Sequence, residues 1–381
     1  MTLLKDMDMP ELFERCFIGG MEIRNRFVRS ATWEGMADND GRTSAKLNGL
    51  LGDLARNEVG LIISGHAYVR EEGRAAPGQL SACSDALIPS LATMTKEVHD
   101  ADGRIALQLA HAGCQAACQK EGIEVLGPSP LQTEKGAMGR AMTTDEIQAV
   151  IRSFGEAAAR ARQAGFDAVQ IHSAHGYLLS QFLSPYYNKR SDSYGGGLQN
   201  RARIVLEVFH RVRQAVGPEF PILIKMNCED FLEGGFTVDE MLQVSELLRH
   251  AGIDAIEMSG GSIHSGSRSP VRRTKAESED EEPYYREAAA RFKSAVGVPL
   301  ILVGGVRSHG TAERLVKTGA ADFIALSRPL IREPHLIRRW KEGDRNKAAC
   351  VSDNLCFGPA MKGIGIYCVT DERLRRRSTG A

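Results

Sequence analysis

A chain of 381 residues with 48 Lys+Arg against 48 Asp+Glu carries no formal net charge, and 43% of it is hydrophobic. That balance excludes bulk disorder, which needs low hydrophobicity and a charge excess, and gives no electrostatic reason to expect a nucleic-acid partner. No apolar run approaches the roughly 18 residues that span a bilayer, so no membrane segment is expected. The opening MTLLKDMDMPELF resembles neither a secretory leader nor an arginine-rich transit peptide. Eight cysteines are too few for a disulfide scaffold at this length; as free thiols they point to a reducing cytoplasm.

Strand-like and helix-like segments alternate along the chain. Near-continuous apolar runs at Phe27–Thr32, Gly60–Gly65, Arg104–Ala110, Ala168–His172, Ile222–Asn227, Ala255–Ser259, Leu300–Gly305 and Phe323–Arg328 read as parallel strands covered on both faces. Amphipathic stretches follow them at 44–57, 88–102, 144–164, 200–216, 237–251, 283–296, 308–318 and 333–341. Thr144-Asp145-Glu146, the capping box Thr237-x-x-Glu240 and Ser308 mark helix starts. Gly165, Gly252 and Gly319 mark helix ends. Eight strands, each followed by a helix, predict an α/β fold, a (β/α)8 TIM barrel over residues 1–342. A short C-terminal extension follows over 343–381. A doubly wound open sheet would need a switch point and usually has fewer strands. The charged segment Ser267–Glu282 reads as a solvated loop, with a substrate lid as the alternative.

Barrel chemistry sits at the C-terminal ends of the strands. There the sequence places Gln108 and His111 after strand three, and His172, His175 and Tyr177 after strand four. Lys225 and Asn227 lie on strand five, Gly304-Gly305 after strand seven and Ser327-Arg328 after strand eight. Glycines after strand seven let backbone N–H groups approach an anion, and Arg328 adds a charge-assisted contact, so this end reads as a phosphate site. His172 and His175 read as donors to a substrate oxyanion, with Tyr177 as proton donor. No HExxH is present and no carboxylate has ligand spacing, so no metal is expected. Lys225 suits either a Schiff base or the neutralisation of a developing anion, and spacing does not choose.

These residues resemble the Old Yellow Enzyme family of FMN-dependent oxidoreductases. The likeness runs from Leu12-Phe13 and Asn25-Arg26-Phe27-Val28, through Gln108-Leu109-Ala110-His111-Ala112-Gly113, to the long stretch HSAHGYLLSQFLSPYYNKRSDSYGG at His172–Gly196. It implies FMN across the barrel mouth, with Gln108 at the ring edge and Lys225 near N1/O2. Ser30, Ala31, Thr32 and the main chain of His66 would line the ring, with Gly304, Gly305, Ser327 and Arg328 at the phosphate. His172 and His175 would hold the carbonyl or nitro oxygen of an enone, nitroalkene or dienoyl-type substrate, and Tyr177 would protonate its α-carbon. NADH or NADPH would act as reductant in the same place. A homo-oligomer is also implied.

Two departures stand out. Trp33 occupies a position where relatives often carry Thr or Cys, and is expected to shape the substrate pocket. Longer relatives, resembling 2,4-dienoyl-CoA reductase, place four cysteines for an iron–sulfur cluster after the barrel; here Cys350, Asp353, Cys356 and Cys368 stand in a similar order. With Asp in a cysteine's place, the segment reads as a remnant without a cluster. Two rival functions stay open on the residues alone: a non-redox lyase or isomerase using Lys225 as a Schiff-base amine, and a non-catalytic flavin-binding module.

Overall fold

The computed structural model describes residues 11–117, 122–133, 136–272 and 278–378. Its centre is a closed ring of eight parallel strands: β1 (Phe27–Arg29), β2 (Leu61–Ile63), β3 (Ile105–Ala110), β4 (Ala168–Ser173), β5 (Ile222–Asn227), β6 (Ala255–Ser259), β7 (Leu300–Val303) and β8 (Phe323–Leu326). Each strand pairs with its sequence neighbours, and the ring shuts where β8 pairs with β1. The helices are α1 (Ala45–Arg56), α2 (Ile88–His99), α3 (Thr144–Gln163), α4 (Leu198–Val216), α5 (Val238–Ala251), α6 (Arg286–Ala295), α7 (His309–Lys317) and α8 (Leu336–Lys341). This is the (β/α)8 barrel that the alternation of segments predicts.

Strand geometry sends successive side chains to opposite faces, which divides the barrel into two apolar bodies. Outward residues such as Phe27, Ile62, Leu107, Ile171, Ile224, Ile256 and Ile324 pack in one large core with the helices. Inward residues Val28, Leu61, Ala106, Ala168, Leu223, Ala255, Ile301 and Phe323 form a second cluster, joined by Cys16, Ile18, Met21 and Ile23. The last four lie on an antiparallel hairpin, Cys16–Ile18 with Met21–Ile23, that stops the lower end of the barrel. The sequence reading missed this hairpin because its strands have three residues each. Its turn uses Gly19 at φ +55, where an added Cβ would lie 2.5 Å from the Asp254 carboxylate.

Two residues further up, the inward face changes character on β1 and on β3 to β6, while Ile63, Val303 and Ala325 keep it apolar on the other three strands. Above the apolar layer stand Ser30, Gln108, Gln170, Lys225 and Glu257, all buried. A polar layer in the interior of a barrel has no packing purpose, and it forms the floor of the site.

Expected strands at Phe27–Thr32, Leu300–Gly305 and Phe323–Arg328 end two or three residues early. At the last of these a short helix, Arg328–Arg332, begins instead, with Pro329 in its first turn where no backbone donor is needed. The capping box of α5 forms as read; that of α3 uses Thr143 with Glu146, one residue before the expected start. The segment Ser267–Glu282 is not simply solvated. Its Ser269, Pro270 and Val271 border the mouth of the barrel, while residues 273–277 lie outside the described set. Glu282 is buried and accepts from the Arg307 amide and from the Ser308 amide and hydroxyl.

The residues after α8 return across the mouth. The Ala348 amide donates to the Arg307 carbonyl and the Ile366 amide to the Glu34 carbonyl. The tail Glu372–Arg377, expected as a solvated or disordered end, lies within a solvated helix, Val369–Ser378, with no buried residue and i,i+4 pairs Asp371–Arg375 and Glu372–Arg376. Among the described residues no helix is long and apolar enough to cross a membrane.

The turn after β1 is fastened by a buried ion pair. Arg29 reaches Glu34 at 2.7 Å, and also donates to the Ile63 carbonyl, while Glu34 accepts from the Gly65 amide. Removing one partner strands the other charge without water. Glu34→Ala is therefore expected to cost about 3–5 kcal/mol of stability, measured by denaturant unfolding; a loss under 1 kcal/mol would contradict the role given to the pair.

Candidate active site

A cavity of about 520 Å³ opens at the C-terminal end of the barrel, the size of a cofactor or substrate pocket. Ser30, Ala31, Thr32, Trp33, His66, Gln108, His172, His175, Tyr177, Lys225, Gly304, Gly305, Ser327 and Arg328 all border it. Residues spread over some three hundred positions meet because each stands in the upper part of a strand or just beyond its end.

The floor is one hydrogen-bonded chain. Gln108 Nε2 donates to Gln170 Oε1 at 2.7 Å, and Gln170 Nε2 donates to Glu257 Oε2 at 2.7 Å. The other oxygen of Glu257 accepts from Ser30 Oγ at 2.6 Å and pairs with Lys225 Nζ at 3.0 Å. Lys225 also donates to Ser30 Oγ at 2.7 Å. Lys225 is thus placed as a held charge rather than as a free amine nucleophile. Gln170 and Glu257 were not singled out from the sequence. Their signal was a lone polar residue inside an apolar strand, in AVQIH and AIEMS, on the face shared with Ala168 and Ala255.

One wall is aromatic. The rings of His172 and Tyr177 are 4.9 Å apart, those of His172 and His175 5.3 Å, and those of His66 and Tyr177 5.5 Å. His66 does more than present its main chain: its Nε2 lies 3.1 Å from the Tyr177 hydroxyl. His175 has φ +65, a left-handed conformation uncommon outside glycine. It is held there by the Asn227 side chain on its amide at 3.1 Å and by Ser259 Oγ on its Nε2 at 2.7 Å. Tyr177 is fixed by the helix immediately after it. Leu178–Leu183 is short and wholly buried. Its Gln181 side chain donates to the Gly176 and Ala112 carbonyls and accepts from the Cys114 amide.

Burial sets the protonation states of this wall. It pulls His66 down to about 4, and His172 and His175 well below the usual imidazole value, with the nearby Lys225 ammonium acting in the same direction. All three are neutral at neutral pH. Burial pushes the Tyr177 phenol above its ordinary value, so it keeps its proton. His111, at the head of its motif, lies away from the cavity. It is fully buried, accepts from the Gly113 amide at Nδ1, and is pulled by burial to about 4.

The far end of the cavity belongs to β7 and β8. Gly304 and Gly305 have φ +115 and +93. A Cβ on Gly305 would fall 1.4 Å from the Glu282 carbonyl oxygen, so packing demands glycine there as well as any ligand would. Neither glycine amide donates to an acceptor among the described residues. Arg328 has part of its guanidinium engaged with the Arg272 carbonyl and Asn354 Oδ1, both at 2.6 Å. Arg307, not foreseen, also borders this end, and its Nε is buried without a partner. Phe357 shows that the C-terminal segment contributes to the wall. Cys350, Asp353, Cys356 and Cys368 border a separate small cavity beside Arg328. Among the described residues no group of three or more His, Cys, Asp or Glu side chains is disposed to hold a metal ion.

A barrel with a charged floor, a neutral histidine–tyrosine wall and an amide-lined end beside two arginines has the make-up of a TIM-barrel site for a phosphorylated ligand. The sequence profile of the NADH:flavin oxidoreductase / NADH oxidase family matches residues 11–347, and the chain belongs to that family. Among its relatives is an NADH oxidase of Thermoanaerobacter brockii, 35% identical over 92% of this chain and 54% of that protein. The 2-naphthoyl-CoA reductase in complex with 2-naphthoyl-CoA superposes with a TM-score of 0.87 at 25% identity, over 96% of this chain and 57% of that one. Morphinone reductase in complex with tetrahydroNAD gives 0.72 at 28% identity, over 88% and 91%. The chain thus spans a little over half the length of the first two.

FMN is the cofactor of this family, and the residues present fit it. The unpaired amides of Gly304 and Gly305, with Arg307 and Arg328, suit a phosphate. The Trp33 Nε1, His172 Nδ1 and Arg307 Nε atoms are buried without protein partners, a cost of about 1–3 kcal/mol for each that a ligand in this cavity can remove.

The neutral histidines carry a pH dependence. The unfolded chain binds their protons near pH 6.5, while the folded chain resists until about pH 4 at His111. Stability is therefore full above pH 6.5 and falls as the pH drops towards 4, by about 2 kcal/mol at pH 5 for His111 alone. Thermal melts should show a lower Tm at pH 5 than at pH 7.5, and His111→Gln should narrow that gap. A Tm indifferent to pH over this range would contradict the buried, neutral assignment.

Proposed function

We propose that the chain is an FMN-dependent NAD(P)H oxidoreductase that reduces a C=C bond activated by a neighbouring carbonyl or nitro group. The observation that carries this reading is the wall of neutral His172 and His175 with protonated Tyr177, facing one side of a cavity whose floor is Lys225 and Gln108. FMN, when bound, would supply the hydride-transfer chemistry between nicotinamide and substrate. The chain's own residues do the rest.

His172 Nδ1 is free to donate, since among the described residues it has no hydrogen-bond partner. With His175 it grips the activating oxygen of the substrate and draws electron density out of the double bond, so that its β-carbon accepts hydride. Neutral donors suit this task, because they stabilise charge that develops on the oxygen without fully protonating it. Tyr177 then delivers a proton to the α-carbon. His66 orients the tyrosine hydroxyl through their 3.1 Å contact. Trp33, half-buried at the rim, narrows the space above the wall and sets which substrates enter. Gln108 and Lys225 would meet the ring at one edge, and Gly304, Gly305, Ser327 and Arg328 would take the phosphate. Ser30, Ala31 and Thr32 support the ring's edge, with Thr32 Oγ1 held against Ser327 Oγ at 2.7 Å.

The match along nearly the whole chain to a reductase carrying an aromatic acyl-CoA supports a conjugated thioester among the substrates, along with enones and nitroalkenes. Anaerobic titration of the purified protein with NADH and NADPH, followed by a panel of these three classes, tests the reading. The flavin should bleach with one nucleotide and regain its colour with an activated alkene. Colour that never returns with any alkene would reject the substrate class.

Tyr177→Phe should leave reduction by the nicotinamide within a few-fold while slowing alkene reduction by about 10²- to 10⁴-fold. Stopped-flow measurement of the two halves separates them, and equal loss in both would reject the proton-donor role. Replacing His172 and His175 together by alanine should abolish the long-wavelength absorbance band that a bound phenolate gives with a flavin. An undiminished band would remove the histidines from the oxygen site.

A further inference from the structure

Glu257 has no exposed surface, 0%, and lies one layer below the cavity on the inward face of β6. It touches no ligand space directly; it is absent from the cavity lining. Yet every polar group in the floor is tied to it. Oε1 takes Lys225 and Ser30, and Oε2 takes Gln170.

A carboxylate can only accept hydrogen bonds, and this settles the direction of the whole chain. Gln170 must give Glu257 its amide N–H. Its carbonyl oxygen is then left to accept from Gln108 Nε2, as found at 2.7 Å. Gln108 is thereby turned with an N–H towards Gln170, its register partner on β4, and its carbonyl oxygen is left for the cavity. The amide orientations follow from the charge at the end of the chain and from nothing nearer.

We infer that Glu257 is a positioning residue that sets the reduction potential of the bound flavin, by offsetting the Lys225 charge and by fixing which end of Gln108 faces the ring. This deepens the reading above and rests on FMN occupying the cavity. Uptake of two electrons and one proton leaves the ring one negative charge richer. A lone ammonium beside it would favour that state strongly. An ammonium paired with a carboxylate at 3.0 Å presents a dipole instead, whose attraction for the added charge is weaker. Glu257 therefore holds the potential low, which keeps the reduced flavin a ready hydride donor. A purely structural role for Glu257 would affect folding and cofactor retention and leave the potential where it is.

The test is the midpoint potential of the FMN-loaded protein, measured by anaerobic equilibration with a reference dye. Glu257→Gln keeps the shape and a hydrogen-bonding oxygen while removing the charge. It should tighten reduced over oxidised FMN by at least tenfold, a positive shift of about 30 mV for a two-electron couple. The double variant Glu257→Gln/Lys225→Met removes both buried charges and leaves neither unpaired, so it remains informative if the single variant folds poorly. Its midpoint should return close to that of the unmodified protein. A Glu257→Gln midpoint that is unchanged or more negative would overturn the inference. So would a double variant well below the unmodified protein, since Lys225 would then act unopposed. If the unmodified protein takes up no FMN, the site reading falls and this inference with it; if FMN binds and its potential ignores Glu257, only this inference falls.

Discussion

A charge with no access to water must be paired where it stands, and the carboxylate of Glu257 is such a charge at the centre of this barrel. Its pairing with Lys225 and Ser30, and through Gln170 with Gln108, joins strands that are distant in sequence. The barrel interior is apolar below that layer, and above it opens the cavity lined by His172, His175 and Tyr177. The layer therefore serves as a rigid base, and the wall of His172, His175 and Tyr177 can be held at a defined height over it. Rigid support of this kind is what a site built on strands offers over one built on loops.

The upper wall is held by different means. His175 sits in a left-handed conformation that its own backbone disfavours, and Asn227, Ser259 and Gln115 hold it there. Strained residues of this sort persist where surrounding contacts over-determine them, and they concentrate at functional sites. The buried helix after Tyr177 explains why the long stretch from His172 onward has so many specified residues: each of Gln181, Ser180 and Asn188 satisfies a backbone group that bends the chain around the mouth.

Much of this was legible in the amino-acid sequence. Parallel strands covered on both faces leave long apolar runs, so all eight could be placed within a few residues. Because barrel chemistry gathers at strand ends, reading those ends located cavity-lining residues from Gln108 to Arg328, while Ser30, Ala31, Thr32, Trp33 and His66 came only with the family resemblance. What stayed hidden had a common cause. Glu257 and Gln170 lie mid-strand, and one-dimensional patterns do not say that an inward polar residue will meet another one across the barrel. Arg307 and Phe357 approach the cavity from segments whose path depends on how the C-terminal residues fold back. The plug hairpin is too short for periodicity to show. The solvated reading of Ser267–Glu282 failed at its end because Glu282, one acid in an acidic run, is buried by the amides of Arg307 and Ser308.

Solved relatives of this barrel include a morphinone reductase in complex with tetrahydroNAD and a 2-naphthoyl-CoA reductase in complex with 2-naphthoyl-CoA. In this chain Trp33 and the Ser269–Val271 segment border the cavity. The account depends most on where the cofactor ring lies. A crystal structure of the FMN-loaded protein with a bound phenol tests it most directly. The account predicts a ring across the mouth, Lys225 and Gln108 against one edge, and the phenol oxygen between His172 and His175. FMN bound elsewhere on the chain, or a ring turned away from Lys225, would contradict it.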